Sequence, residues 1–191
     1  MNLDLVLPAP LNPPFPERAR VADLGRVHFV GVGGAGMSAI ALLMAQLGVP
    51  VSGSDRAESA NLQSLRQAGV RVSVPQDAVN IHDVDTVVIS TAIHKDNPEL
   101  AKARELGLPV LHRSEALAAV MGDSQVVAVA GTHGKSTTSS MISVMFDGLN
   151  AKPSFAVGTV IAGFGTNARL GATGPGSWFV AEADESDGSF V

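Results

Sequence analysis

Short apolar runs alternate along this chain with longer segments whose apolar positions recur at helical spacing. Val27 to Val32 is a β-branched run ending in glycines, which predicts a strand. Ala35 to Leu47 places Ala35, Met37, Ile40, Ala41, Leu43, Met44 and Leu47 on one helical face, and Gly48 stops it. Val49 to Ser54 predicts a second strand, Asn61 to Ala68 a helix, Val70 to Val74 a third strand and Val84 to Ser90 a fourth. Pro98 suits the first turn of a helix reaching Leu106. Val110 to Leu111 is a brief strand, and Ser114 is read as the cap of a helix to Met121 with Glu115 in its first turn. After the polar break Gly122-Asp123-Ser124, a strand is expected over Gln125 to Ala130, a helix from Lys135 to Leu149 and a buried strand over Trp178 to Glu182. Residues 153–176, rich in glycine and small side chains, show no period that assigns them.

Strands that alternate with helices predict an α/β fold, a parallel sheet with helices on both faces. The polar break divides the pattern. We expect a proline-rich arm at 1–24, a Rossmann-like unit at 25–121, and over 122–191 the first part of a P-loop-type ATPase unit. Pro8, Pro10, Pro13, Pro14 and Pro16 remove amide donors and make the arm extended.

Composition narrows the classes. Hydrophobic residues make up 46% of 191, enough for a buried core, and the net charge of −5 offers no field for nucleic acid. The absence of cysteine removes disulfides and thiolate metal sites and fits a reducing, cytoplasmic setting. No apolar run approaches the roughly 18 residues that span a bilayer.

Two glycine loops carry the chemistry. In Gly31-Val32-Gly33-Gly34-Ala35-Gly36, glycines 31, 33 and 36 match G-x-G-x-x-G between a strand and a helix, and Asp55 closes the next strand nineteen residues after Gly36. Such glycines let backbone approach a diphosphate at a helix N-terminus. NAD, FAD and nucleotide sugars all carry one, and a bare strand-to-helix turn has the same shape. The second loop is Gly131-Thr132-His133-Gly134-Lys135-Ser136-Thr137. Here Lys135 can reach β- and γ-phosphates, and Ser136 offers a hydroxyl to Mg²⁺. Its first glycine stands closer to Gly-Lys-Ser than the G-x-x-x-x-G-K-[ST] spacing requires, with Val129 where that glycine is expected. Glu182, at a strand end, is the acidic partner expected for Mg²⁺. Asp184, Glu185 and Asp187 follow it as either a solvated turn or a substrate contact. Among the histidines, His28, His82 and His112 are read as structural, His94 lies at a ligand-facing edge, and His133 inside the second loop is the functional candidate.

GTHGKST, preceded about 100 residues earlier by a dinucleotide-type loop, resembles the Mur ligases, the ATP-dependent enzymes that build the peptide of bacterial peptidoglycan. In them the shortened loop reads G-T-[HN]-G-K-[ST]-[ST]. Histidine at 133 and FVGVGGAGMS (29–38) resemble the L-alanine-adding branch, as do STAI (90–93), NPE (97–99), GTNARLG (165–171) and EADESDGSF (182–190). The resemblance implies UDP-N-acetylmuramate on Gly33, Gly34, Ala35, Gly36, Met37 and Ser38, with uridine near Asp55 and Ser90, Thr91, Ala92 and Ile93. It implies ATP on Gly131, Thr132, His133, Gly134, Lys135, Ser136 and Thr137, with Mg²⁺ on Ser136 and Glu182. Lys135 and His133 are the implied catalytic residues and L-alanine the second substrate, joined through an acyl phosphate. Members of the family continue well beyond the point where this chain stops. We therefore expect an N-terminal portion that binds the UDP-sugar but forms no peptide bond alone, and that self-associates through open strand edges at Gln125 and Trp178. Three other readings compete: the branch that recycles murein peptides, an NAD-dependent oxidoreductase, and a non-enzymatic nucleotide-sugar-binding module or regulator whose second loop is vestigial.

Overall fold

The computed structural model describes residues 20–183. Most of the proline-rich arm and the acidic residues Asp184, Glu185 and Asp187 lie outside them. Nine strands and five α-helices follow one another: β1 (Val27–Val30), α1 (Ala35–Gln46), β2 (Val51–Ser54), α2 (Ala60–Gln67), β3 (Arg71–Ser73), β4 (Thr86–Ile89), α3 (Pro98–Glu105), β5 (Val110–His112), α4 (Arg113–Met121), β6 (Gln125–Val129), α5 (Lys135–Gly148), β7 (Ser154–Ile161), β8 (Thr166–Arg169) and β9 (Trp178–Glu182).

The first five strands form one sheet in the order β3-β2-β1-β4-β5, parallel throughout. β1 is buried at all four positions, as a strand covered on both faces must be. Chain order reverses between β1 and β4, so the crevice above their carboxyl ends is the switch point where open α/β sheets hold ligands. On α1 burial runs from Met37 to Ala41 and resumes at Leu43 and Met44, wider than the single face that periodicity predicts, while Ala35 is exposed. The second sheet explains this width. Ala156, Ala168, Phe179 and Ala181 from that sheet share one core with Phe29, Met37, Leu43 and Met44, so α1 is enclosed between the two sheets. Each fully buried leucine or phenylalanine there is worth about 1.5–3 kcal/mol relative to exposure.

The second sheet runs β6-β9-β7-β8. β6, β9 and β7 are parallel, and β8 returns antiparallel to β7. Residues 153–176, unassigned from sequence, hold that β7–β8 pair. The sheet's apolar face packs Phe155, Val157 and Ile161 of β7 and Val180 of β9 against Ile142, Phe146 and Phe164.

Two expectations are corrected. The strand from Trp178 is not an edge, because β9 is paired on both sides; only β6 borders the sheet there, and its Val126 is exposed. The cap of α4 is His112 rather than Ser114: His112 Nδ1 accepts from the Ser114 amide, and Glu115 reaches back to the His112 amide at 2.6 Å, a reciprocal capping box. Local sequence favours serine as a cap, but the end of β5 already extends the backbone at His112. Elsewhere the predicted elements form, with bounds moved by at most two residues. No helix among the described residues is long and apolar enough to cross a membrane.

Candidate functional site

The first loop leaves β1 through Gly31, whose φ of 78° is open to glycine and strained for other residues. The amides of Gly31 and Val32 donate to the Ser54 carbonyl, both at 2.9 Å, tying the loop to the end of β2. Gly34 is the N-cap of α1 and offers no side chain, so no capping group covers the amides of the first turn. Asp55 lies where the fingerprint puts it, with Oδ2 accepting from the Gly33 amide at 2.7 Å. Asn61 Nδ2 donates to the Gly33 carbonyl at 2.7 Å and holds the loop from the other side. The turn Ser90 to Ile93 follows β4, and the Ile93 side chain closes over the loop, 3.1 Å from the position of a Cβ at Gly31.

The diphosphate loop, Asp55 and the Ser90–Ile93 turn therefore meet at one sheet edge. Beside them a cavity of about 500 Å³ is lined by Arg56, Gln76, His94, Asp96 and Asn97. Met37 and Ser38 are set apart from this edge. Met37 packs into the shared core, and the nearly buried Ser38 gives its hydroxyl to the Ala35 carbonyl at 3.0 Å.

A buried polar cluster supports the edge from below. Glu99, fully buried on α3, accepts from Ser54 Oγ, from Asn80 Nδ2 at 2.6 Å and from the Asp77 amide at 3.2 Å. His28 Nε2 stands 3.5 Å from Glu99, too long for a hydrogen bond, while His28 Nδ1 pairs with Ser52 Oγ at 2.9 Å. Burial pushes the Glu99 carboxyl up. The contacts with His28, Ser54 and Asn80 outweigh it and hold the group below its ordinary value.

The second loop leaves β6 and enters α5 through Gly134, which caps the helix at φ 80°. Its backbone conformation at Gly131 and Gly134 is again one that favours glycine. Lys135 Nζ donates to the Gly131 carbonyl at 2.6 Å, so the lysine spans the loop. Thr132, His133, Gly134 and Thr137 are exposed; Ser136 is half-buried. β9 runs parallel to β6 and pairs Glu182 with Val129, the last residue of β6. Strand pairing thus delivers Glu182 to the foot of the loop. Its Oε1 is buried and has no hydrogen-bond partner among the described residues.

On β7, Gly158 completes this corner. A Cβ there would lie 2.9 Å from Glu182 Oε2 and 3.5 Å from Ser136 Oγ. A lone carboxylate oxygen, a hydroxyl and a gap between them suit a small, oxygen-seeking divalent cation, and the residues present fit Mg²⁺. The described residues contain no group of three carboxylates, histidines or cysteines that could hold a metal. A cation here would complete its shell with water and phosphate, as Mg²⁺ commonly does.

The first loop and the Gly158–Glu182 corner face one space. A cavity of about 540 Å³ lies between α1, α4 and the second sheet, lined at one end by Ala35, Gly36 and Arg113 and at the other by Gly158 and Glu182. Arg113 and Gly158 were not singled out from sequence. The Arg113 guanidinium lies against Gly36, with Nη1 2.6 Å from the position a Cβ would take. A cation in the first turn of a helix opposes the helix dipole, and that was its available signal. For Gly158 the signal was a lone glycine inside an otherwise strand-forming run.

The chain was compared with known proteins. The description "Mur ligase family, catalytic domain" matches residues 26–125. The UDP-N-acetylmuramate–L-alanine ligase of Nocardioides sp. is 54% identical over 93% of this chain and 40% of its own length. Across the first three curated relatives the chain spans only 36–40% of their length. The crystal structure of a UDP-N-acetylmuramate-alanine ligase from Thermotoga maritima superposes with a TM-score of 0.73 at 33% identity, over 82% of this chain and 37% of that one. A UDP-N-acetylmuramate:L-alanyl-gamma-D-glutamyl-meso-diaminopimelate ligase from Neisseria meningitides gives 0.79 at 30% identity, over 86% and 54%. With the family description matching just over half of the residues, the chain belongs to the Mur ligase family.

Proposed function

We propose that this chain carries the UDP-sugar site and the nucleotide loop of a cytoplasmic, ATP-dependent ligase that joins L-alanine to UDP-N-acetylmuramate in peptidoglycan synthesis. In this reading 25–121 is the sugar-binding unit and 122–191 the start of the nucleotide-binding unit. The observation that supports it most is the single cavity running from Gly36 to Gly158 and Glu182. A nucleotide sugar whose diphosphate rests on Gly33 to Gly36 can extend its muramyl arm through that cavity toward a phosphate held by Lys135. An oxidoreductase would leave the second loop and Glu182 without a task. The curated relatives over half identical to this chain carry L-alanine in their names, which favours that amino acid over a peptide.

The chemistry follows from the groups. The muramyl carboxylate attacks the γ-phosphorus of ATP, the bond to ADP breaks, and an acyl phosphate forms. The amine of L-alanine then attacks the acyl carbon, loses a proton and expels phosphate. Phosphorylation is needed because a free carboxylate has no adequate leaving group. Lys135 orients the triphosphate and offsets charge on the transferring group. His133 stands at the loop tip beside the same phosphates. Magnesium would supply further positive charge to the transferring phosphate, and Ser136 and Glu182 are the residues that would hold it. Self-association through the exposed β6 edge belongs to the same reading; sedimentation at rising concentration tests it.

Calorimetry with UDP-N-acetylmuramate, NADH and ATP in parallel tests the whole. Binding of the UDP-sugar and of ATP but not NADH is expected. NADH binding without UDP-sugar binding would overturn the reading.

A further inference from the structure

We infer that Gly158 is a clearance residue: the space left by its missing side chain, between Ser136 and Glu182, belongs to the coordination shell of a nucleotide-bound divalent cation. This rests on the reading of Gly131 to Thr137 as a nucleotide loop.

Four observations converge on Gly158. Its φ is not in the left-handed region, so the backbone of β7 does not call for glycine there. A lone glycine also weakens a strand, through lost packing and greater chain entropy when unfolded. The neighbours supply the reason for its presence. A Cβ would come within 2.9 Å of Glu182 Oε2 and 3.5 Å of Ser136 Oγ, the two oxygens best placed for the cation. Glu182 Oε1, meanwhile, is buried with nothing among the described residues to accept from, a costly state for a carboxylate with no cation or donor beside it. Gly158 also lines the cavity that leads from the first loop, so the space stays open toward the substrate side.

The consequence of filling that space is selective. The atom in the way is the far end of a flexible glutamate, not backbone. An added methyl therefore displaces the carboxylate at little cost to the fold, and the loss falls on what the carboxylate holds.

The test uses the 191-residue chain with ATP and Mn²⁺ as the probe cation. For Gly158→Ala, the Mn²⁺ concentration giving half-maximal ATP binding should rise at least tenfold. Thermal unfolding without ligand should match the parent, and Glu182→Gln should reproduce the cation defect. A Gly158→Ala chain with the parent's Mn²⁺ requirement overturns the inference, as does parent ATP binding that needs no divalent cation. A parent that binds no ATP at any Mn²⁺ concentration overturns the nucleotide-loop reading, and the inference with it. The wild-type chain gives a second measurement that needs no variant to fold. With ATP present, Mn²⁺ should broaden the Gly158 amide resonance while Mg²⁺ leaves it sharp, and a Gly158 signal untouched by Mn²⁺ overturns the inference.

Discussion

The amide of Gly33 donates to Asp55 Oδ2 at 2.7 Å, so the carboxylate closing β2 touches the middle of the first glycine loop. A Cβ on Gly33 would sit 2.7 Å from that same oxygen and 3.2 Å from Ser59 Oγ. Loop backbone, Asp55 and the start of α2 are thus packed without room for a side chain. Gly33→Val should weaken UDP-N-acetylmuramate binding at least about a hundredfold, ~2.7 kcal/mol, and leave ATP binding unchanged. Calorimetry on the folded variant checks this, and parent-like affinity would place the diphosphate elsewhere.

Lys135 spans its loop to the Gly131 carbonyl at 2.6 Å, a bond it can exchange for a phosphate oxygen. Lys135→Ala should lower ATP affinity and, in a full-length relative carrying the same change, phosphoryl transfer by orders of magnitude, since a charge clamp on the γ-phosphate is worth several kcal/mol. UDP-sugar affinity should hold, because the first loop lies on the other sheet. Transfer within about threefold of the parent would remove Lys135 from the chemistry.

Glu99 is held ionised under the first sheet's ligand edge by His28, Ser54 and Asn80. Glu99→Gln should cost about 1.5–3 kcal/mol, the range for hydrogen bonds to a charged group. Its folded carboxyl lies below the ordinary value. The stabilisation is therefore fully present above the unfolded value of about 4.3 and is lost as pH falls through the lower folded value. Urea unfolding of parent and variant should give a constant difference from pH 7 to about 5 that shrinks in stronger acid. A difference that grows in acid would mean the group is neutral in the fold.

Asp85 pairs with Arg26 at the opposite end of the sheet, accepting from Nε at 2.9 Å, Nη2 at 3.0 Å and the backbone amide at 2.8 Å. The Arg26 side chain, more than its amide, holds the Asp85 carboxyl down to about 2. Its contribution is present above the unfolded value of about 3.9 and disappears as pH falls through about 2. Carbon-detected NMR titration should find the midpoint near 2 in the parent and raised in Arg26→Ala. Titration at the ordinary aspartate value in the parent would show that the pair is open in solution.

Much of the first sheet could be read before any coordinates. Glycines at 48, 69 and 107 end helices that begin after recognisable strands, and a strand buried on both faces is mostly apolar, as β1 is apart from His28. Both glycine loops were equally legible. Approach of backbone to phosphate requires glycine at particular spacings, and Asp55 and Glu182 fall at strand ends where the alternation of elements can be counted. These are local demands, met within a few residues, and the sequence alone determined them.

Tertiary structure decided what depends on partners far along the chain. Residues 153–176 gave no period because β7 packs partly on α1 and partly on α5, and because Gly158 interrupts its face for the sake of Glu182 and Ser136. The cap of α4 fell to His112 because β5 delivers that residue already extended. α1 is buried on more than one side because a second sheet closes over it, which no helical periodicity in its own residues could announce. The cavity joining the first loop to the Gly158–Glu182 corner exists for the same reason. Its walls, Gly36, Arg113, Gly158 and Glu182, lie on four elements spread over nearly 150 residues. Their meeting is a matter of sheet order and packing rather than of any spacing in the sequence.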